Sequence, residues 1–443
     1  MHPLYQLFHF HQHPQPSFPD LLMCFFLTGF SSCKDDENKK KEYDPNQPII
    51  LTDYYPKEGG IATQMIISGE NFGTDVSKIK VYFNEAKAAV IQSTGDKLYV
   101  ITPRKPGEDC VITVSVGGDK AVFEEHFTYH IQTTVTTLCG VKGAPGVQTG
   151  NMAETQFPYV TYLAIDVDHN LFVCCREINN YYDQNKVVLV NEREDKSQIL
   201  IPNTGAPLNQ PCISEDGKTA FIPTDNGNDY WELSSDNMWI PRKLTLRKSA
   251  EDFSIDYKHS FSMCKYDGFM YTRAKNGTLL KFDPKAGYAQ VVATGLMNGS
   301  YSYILFSPQQ GEEHILYLAY TNAHCIYTYN LKTGAHKLFA GMVNTPGYAD
   351  GPCEYALFDT PRQIILTAEN DLFLADSNNH VIRKITQDGV VSTVIGQAGM
   401  TGNQDGTPEV ALFNEPFGVA VDTDGTIYIG DSKNQSIRRL AIE

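Results

Sequence analysis

Residues 358–384 read FDTPRQIILTAENDLFLADSNNHVIRK, and residues 413–439 read FNEPFGVAVDTDGTIYIGDSKNQSIRR. At an offset of 55 residues the two stretches share Phe358/Phe413, Pro361/Pro416, Asp376/Asp431 and Arg383/Arg438. Gly341 ahead of the first recurs as Gly396 ahead of the second. Each stretch alternates short apolar runs with turns, the pattern of antiparallel strands. A repeat of about 50 residues built this way predicts a propeller or solenoid, because one unit cannot bury its apolar face alone.

Upstream, Gly140 and Phe157 keep the 17-residue gap of Gly341 and Phe358. The 201 residues between Gly140 and Gly341 leave room for four more units. Six turns follow first strands: Asp168-His169-Asn170, Asp216-Gly217, Asp267-Gly268, Gln310-Gly311, Asn370-Asp371 and Asp424-Gly425. They suit tight hairpins. A second series follows third strands: Glu194-Asp195, Asp236-Asn237, Asp283 to Gly287, Lys332-Thr333-Gly334 and Asp388-Gly389. These counts predict an all-β, six-bladed β-propeller over residues 133–443, four strands to a blade. The last blade stops after its third strand, Ser436–Ile442, and Thr133–Leu138 is expected to supply the fourth, leaving no open edge.

Residues 49–131 carry six or seven short β-rich runs: Ile49–Asp53, Ala62–Ser68, Lys78–Phe83, Lys97–Thr102, Cys110–Val116 and Ala121–Tyr129. Turns such as Gly69-Glu70-Asn71 and Gly117-Gly118 separate them, which predicts an immunoglobulin-like β-sandwich. Gly69-Glu70-Asn71-Phe72-Gly73, with Pro56 and Gly60 before it and Pro103 and Gly107 after it, resembles the IPT/TIG family. That resemblance implies a stalk.

Residues 21–30, LLMCFFLTGF, are a short apolar stretch followed by Ser31, Ser32 and Cys33. This is the layout of a secretory signal. A Cys directly after small residues resembles a bacterial lipobox, so residues 1–33 read as a signal peptide with lipidation at Cys33. Two features depart from that pattern: Phe30 stands where Leu is usual, and residues 1–32 contain no Lys or Arg. Residues 34–48, KDDENKKKEYDPNQP, are polar and Pro-containing and are expected to form a flexible tether. Lys34 followed by acidic residues resembles the surface-export signal of Bacteroidetes lipoproteins.

The 443 residues carry 36 Lys+Arg against 52 Asp+Glu, a formal charge of −16, which disfavours a nucleic-acid partner. No apolar run reaches the roughly 18 residues of a spanning helix, so membrane contact is expected through the lipid anchor alone. Eight of the ten Cys lie beyond the signal. Most sit in apolar runs as small hydrophobes, with one or two disulfides left open. No Cys pair has metal-ligand spacing, the His residues form no metal constellation, and no cofactor is expected. His324 and His380 occupy matching repeat positions, which gives them structural roles. Arg383-Lys384 and Arg438-Arg439 recur on third strands, which suggests recurring packing or ion pairs rather than phosphate binding.

Asn379-His380-Val381 after Leu372–Asp376 resembles the NHL repeat. The lipobox, the IPT/TIG-like stalk and an NHL-like propeller together resemble surface lipoproteins encoded beside glycan importers in Bacteroidetes. The resemblance implies an outer-membrane lipoprotein facing the cell exterior, non-catalytic, with a glycan ligand and an outer-membrane glycan importer complex as partner. Two alternatives stay open: a protein-interaction scaffold, and a metal-dependent propeller enzyme (lactonase- or lyase-like) built on carboxylates such as Asp166 or Asp422. The long loops 141–156, 342–357 and 397–412 and the loops between second and third strands share one face of a propeller. Rings beside amides and carboxylates suit sugars, the rings covering C–H faces and the polar groups bonding hydroxyls. On that basis Asn180, Tyr181, Tyr182, Asp183, Asn228, Tyr230, Trp231 and Tyr301 are the expected glycan-binding residues. Trp239 is assigned to the core between blades.

Overall fold

The computed structural model describes residues 42–103, 107–131, 133–144, 146–176, 185–249, 253–255, 257–367 and 370–442. The elements are strands, with a few single 3-10 turns. No helix among the described residues is long and apolar enough to cross a membrane.

Residues 50–129 form two sheets. The larger orders its strands Ile50–Tyr55, Gln64–Gly73, Gly95–Ile101, Ala86–Ser93, Ile79–Phe83, Ile112–Val116 and Asp119–Val122. The smaller joins Glu58–Gly59, Phe127–Tyr129 and Asp109–Cys110. Tyr54, Ile67, Phe72, Phe83, Val114 and Phe127 pack into one core between them. Two expected runs are split. Residues 110–116 divide at Val111, and 121–129 divide after Val122, because the chain leaves one sheet for the other at both places. Ala86–Ser93 is a strand that the sequence pattern concealed. Ala88 and Ser93 are its buried residues, so it lacks an alternating apolar signal.

The tether expected over 34–48 is corrected at its C-terminal end. The Tyr43 hydroxyl bonds Asp119, the Asp44 N–H donates to Asn71 Oδ1 at 2.9 Å, and Asn71 Nδ2 donates to the Gln47 carbonyl at 2.7 Å. Tyr43 packs on the sandwich core, so this part of the segment is docked. Residues 1–33, including Cys33, lie outside the described residues.

From residue 133 the described residues form six sheets of four or five strands, antiparallel except where Arg247–Lys248 pairs parallel with Tyr288–Ala293. Their first strands are Tyr159–Ile165, Cys212–Ile213, Ser262–Met263, Ser302–Phe306, Pro361–Leu366 and Pro416–Val421. Each first strand lies against the next in this order, and the sixth lies against the first. Both series of expected turns fall between the strands they were assigned to. The fourth strand of the sixth sheet is Thr133–Gly140, paired antiparallel to Ser436–Ile442 with Thr133 opposite Ile442 and Gly140 opposite Ser436.

The repeated residues now have physical causes. Arg383 and Arg438 are 0% exposed. Arg383 donates to Asp376 Oδ2 at 2.8 Å, Asp350 Oδ1 at 2.6 Å and the carbonyls of Leu357 and Ala349. Arg438 repeats the set with Asp431, Asp405, Leu412 and Gln404. Asp350 and Asp405 belong to the long loops 342–357 and 397–412, so these loops are pinned to the sheets by buried guanidinium groups. Gly341 and Gly396 have φ of +89° and +95°, and a Cβ there would press on the backbone of residues 324 and 380. His324 Nδ1 accepts from the Thr360 N–H at 3.0 Å, and His380 Nδ1 from the Glu415 N–H at 3.1 Å, which ties each sheet to the next.

All eight described Cys are free. Cys174 and Cys175 face opposite sides of one strand and enter different core clusters. Trp239 packs edge-on against Phe172 at 5.0 Å, within the core.

Candidate functional site

The first strands converge around a central axis. Tyr162 on the first sheet and Tyr303 on the fourth, three places apart in the circuit, are hydrogen-bonded through their hydroxyls. Both are buried, and burial pushes the Tyr303 phenol well above its ordinary range. Their rings are 5.1 Å apart. The pair divides the axial space into a hairpin side and a loop side.

On the hairpin side lies a cavity of about 370 Å³ at the C-terminal ends of the first strands. Leu163, Ile213, Met263, Phe306, Ile364 and Val421 give it an apolar wall from all six sheets. Its polar residues are Gln210, Ser214, Glu215, Ser262, Lys265 and Gln363. Gln363 is already committed to the backbone of Leu163, whose N–H donates to Oε1 at 3.0 Å. Gly418 makes this approach possible, since a side chain there would run into Thr161.

On the loop side the chemistry changes. The Arg362 guanidinium lies 3.6 Å over the Phe417 ring and reaches the Tyr162 hydroxyl at 3.5 Å. His259 is 4% exposed and stacks 4.4 Å from the Tyr301 ring. Its Nε2 faces Asp225 Oδ1 at 3.4 Å. Burial, then the charges of Arg273, Arg176, Lys275 and Arg362, hold the imidazole down at about 3. Lys275 Nζ lies 4.6 Å from the Tyr301 ring and 5.4 Å from the half-exposed Tyr257. This mouth thus presents rings and cationic donors together.

The sequence candidates fall in different places. Asn180, Tyr181, Tyr182 and Asp183 lie outside the described residues; they follow Arg176, which ends the second strand of the first sheet. Tyr301 is at the mouth. Asn228 is partly exposed in its loop, and its carbonyl accepts from the Leu246 N–H at 2.9 Å. Tyr230 is corrected to a core residue. It is 1% exposed, packs against Phe261 at 5.5 Å and Phe282 at 5.8 Å, and donates its hydroxyl to the Pro284 carbonyl. Strand alternation turns it toward the third sheet and turns Trp231 the opposite way. Trp231 is half-buried against another core cluster, and among the described residues its indole N–H has no hydrogen-bond partner. Arg176, His259, Lys275 and Arg362 were not singled out as site residues. One signal was available: Arg362 aligns with Phe417 in the repeat, a charge where the other copy is apolar.

Among the described residues one group, His169, Asp422 and Asp424, could bring three ligand atoms to a metal. Its atoms are already engaged. Asp422 Oδ1 accepts from the N–H groups of Asp424 and Thr426 at 2.9 and 2.8 Å, and Asp424 pairs with Arg193 at 2.8 Å. Asp166 likewise accepts from Asp168, Asn170 and the Asn170 side chain. Both carboxylates considered for an enzyme close hairpin turns, the role that short acidic side chains have at such turns.

The IPT/TIG domain matches residues 48–131, and the NHL repeat matches residues 413–440. NHL repeat-containing protein 2 of Bos taurus is 29% identical over 232 residues, which cover 50% of this chain and 28% of that protein. A structural-genomics protein of unknown function from Bacteroides thetaiotaomicron VPI-5482 superposes over 91% of this chain and 100% of its own, with a TM-score of 0.67 and 25% identity. An auxiliary nutrient binding protein from Bacteroides ovatus ATCC 8483 covers the same shares, with a TM-score of 0.66 and 24% identity. The chain therefore carries an IPT/TIG domain followed by an all-β, propeller-like region that contains an NHL repeat.

Proposed function

We propose that this chain is a non-catalytic, surface-anchored binding protein that holds a glycan at the loop-side mouth of a six-bladed propeller. The closed circuit of six first strands supports the blade count. In this reading a lipid on Cys33 anchors the chain in the outer membrane, facing the exterior. The IPT/TIG domain lifts the propeller, and the propeller passes its ligand to an outer-membrane importer. The name auxiliary nutrient binding protein, carried by a protein of the same architecture, is in keeping with that role.

The observation that carries the reading is the mouth itself. Tyr301 and Tyr257 hold their rings beside the Lys275 ammonium, His259 stacks on Tyr301, and the Arg362 guanidinium lies over Phe417. Rings next to hydrogen-bonding groups are what a sugar needs, an apolar face and polar hydroxyls at once. The cavity behind the tyrosine pair is walled mainly by apolar side chains. Asn180, Tyr181, Tyr182 and Asp183 would extend the mouth beyond Arg176, with Asn228 and Trp231 on the neighbouring sheet.

Affinity electrophoresis of residues 34–443 through gels holding plant, host and microbial polysaccharides tests the reading. Retardation by a polymer without release of shortened product supports it. Shortened product would make the protein an enzyme, and no retardation by any polymer would point to a protein partner. Changing Tyr181 and Tyr182 together to Ala should weaken retention without unfolding, and unchanged retention removes that loop from the site.

A further inference from the structure

The chain is acidic overall, with a formal charge of −16, yet the groups gathered at the loop-side mouth are cations. Arg176 comes from the first sheet, Arg273 and Lys275 from the third, and Arg362 from the fifth. All four bear on the buried His259. Arg273 is engaged by the protein: it donates to the carbonyls of Leu296 and Ser300 and lies over the Tyr320 ring. The other three differ. Among the described residues no ion pair joins Arg176, Lys275 or Arg362 to a carboxylate. Among the described residues, the Nε–H groups of Arg176 and Arg362 and the Nδ1 atom of His259 are buried without a hydrogen-bond partner. Asp225 is the carboxylate that reaches the cluster, and it is shared between His259 and Asn209 Nδ2, 2.9 Å away.

Burying a polar donor without a partner is costly, and a charged one more so. Arg383 and Arg438 show the paired alternative, each buried guanidinium meeting two carboxylates. Two guanidinium groups left with open donors in a partly buried mouth are the donor set for an oxyanion. A guanidinium fork matches a carboxylate or sulfate in shape as well as charge. Tyr257 and Tyr301 set their rings beside Lys275 in the same mouth.

We propose that the mouth binds the acidic group of an anionic glycan, with a carboxylate or sulfate ester seated between Arg176 and Arg362. The inference rests on the glycan-binding reading above and narrows its ligand class. A sugar ring carrying the anion would lie toward Tyr301, and the acidic group would complete the hydrogen bonding that the fold leaves open.

The test uses paired polymers that differ only in charge. Polygalacturonate is compared with its fully methyl-esterified form, and carrageenan with its desulfated galactan, in affinity gels and by titration calorimetry. The expected result is retention by one acidic polymer, about tenfold tighter than its neutral partner and weakened by salt. The polymer pair that shows the effect identifies carboxylate or sulfate. Arg176→Gln and Arg362→Gln should each weaken binding of the acidic polymer about tenfold. Arg362→Lys keeps the charge but not the fork, and should fall between. Should Arg362→Gln fail to fold, Arg176→Gln and the salt dependence decide alone. Equal retention by acidic and neutral polymers, unchanged in both variants, overturns the anionic site while leaving glycan binding standing. No retention by any of the four polymers, or by the wider panel, overturns both.

Discussion

Replacing Arg383 by Met is the sharpest test of what holds the repeated sheets together. The change keeps much of the aliphatic stem and removes the guanidinium. Lost with it are the bonds to Asp376 and Asp350 and those to the Leu357 and Ala349 carbonyls at 3.0 and 2.7 Å. Asp376 is left fully buried, facing the Asn379 side chain and the Asp359 N–H. Breaking a buried pair from one side costs about 3–5 kcal/mol, because the remaining charge has no counterpart. For a domain of this size each kcal/mol lowers Tm by about 2–4 °C, so a drop of roughly 6–20 °C is expected. Lys384→Met is the control, since Lys384 is partly exposed and its pair with Asp371 belongs to the class worth about 0–1 kcal/mol. The pH dependence adds a second readout. Burial already raises the Asp376 carboxyl to about 6 against the pull of Arg383, and removing the arginine raises it further. A carboxyl whose folded value exceeds its unfolded one loses stability as pH rises through the folded value. The deficit of the variant should therefore be larger at pH 8 than at pH 5. Urea unfolding of both variants at both pH values measures this. A loss under about 1 kcal/mol at pH 8, equal to that of the control, would refute the argument that buried pairing sets the repeat.

Gly418→Ala should destabilise by a few kcal/mol, about 1–3, because the new methyl meets the Thr161 backbone of the adjoining strand rather than a movable side chain; thermal unfolding would show it. Val135→Asp places a charge at a fully buried position of the closing strand, opposite Leu440, and should expose that sheet edge and promote aggregation, visible by light scattering on mild heating. His259 predicts an acid-side loss of stability. Below about 6.5 the unfolded imidazole takes a proton that the folded one refuses down to about 3, so stability falls as pH drops across that window, by at most about 1.4 kcal/mol per pH unit. His259→Leu should flatten this slope, and an unchanged slope would count against the burial and cation argument.

The repeat was legible because its causes are local. Tight hairpins need Asp, Asn or Gly, each strand needs an apolar run, and both recur at a nearly constant spacing. The closing strand was legible for the same reason, since Thr133–Leu138 reads like any other fourth strand. The strand Ala86–Ser93 was not, because it buries too little to leave an alternating pattern. Tyr230 shows the limit at the site. Next to Asn228 and Asp229 it reads as a loop aromatic, but only the register of its strand decides which face it takes. A shift of one residue would have exchanged its place with that of Trp231.

The sequence by itself determined a turn-punctuated β repeat, an IPT/TIG-like sandwich ahead of it, and structural roles for Arg383, Arg438, His324 and His380. Only the tertiary structure decided that Tyr162 and Tyr303 meet at the axis, that a mainly apolar cavity lies on one side of them, and that Arg176, His259, Lys275 and Arg362 gather on the other. The physical reason is separation along the chain. A hairpin writes its requirements into adjacent residues, whereas a mouth assembled from several sheets needs no spacing rule among residues as far apart as 176 and 362. Closure of the ring alone brings them together.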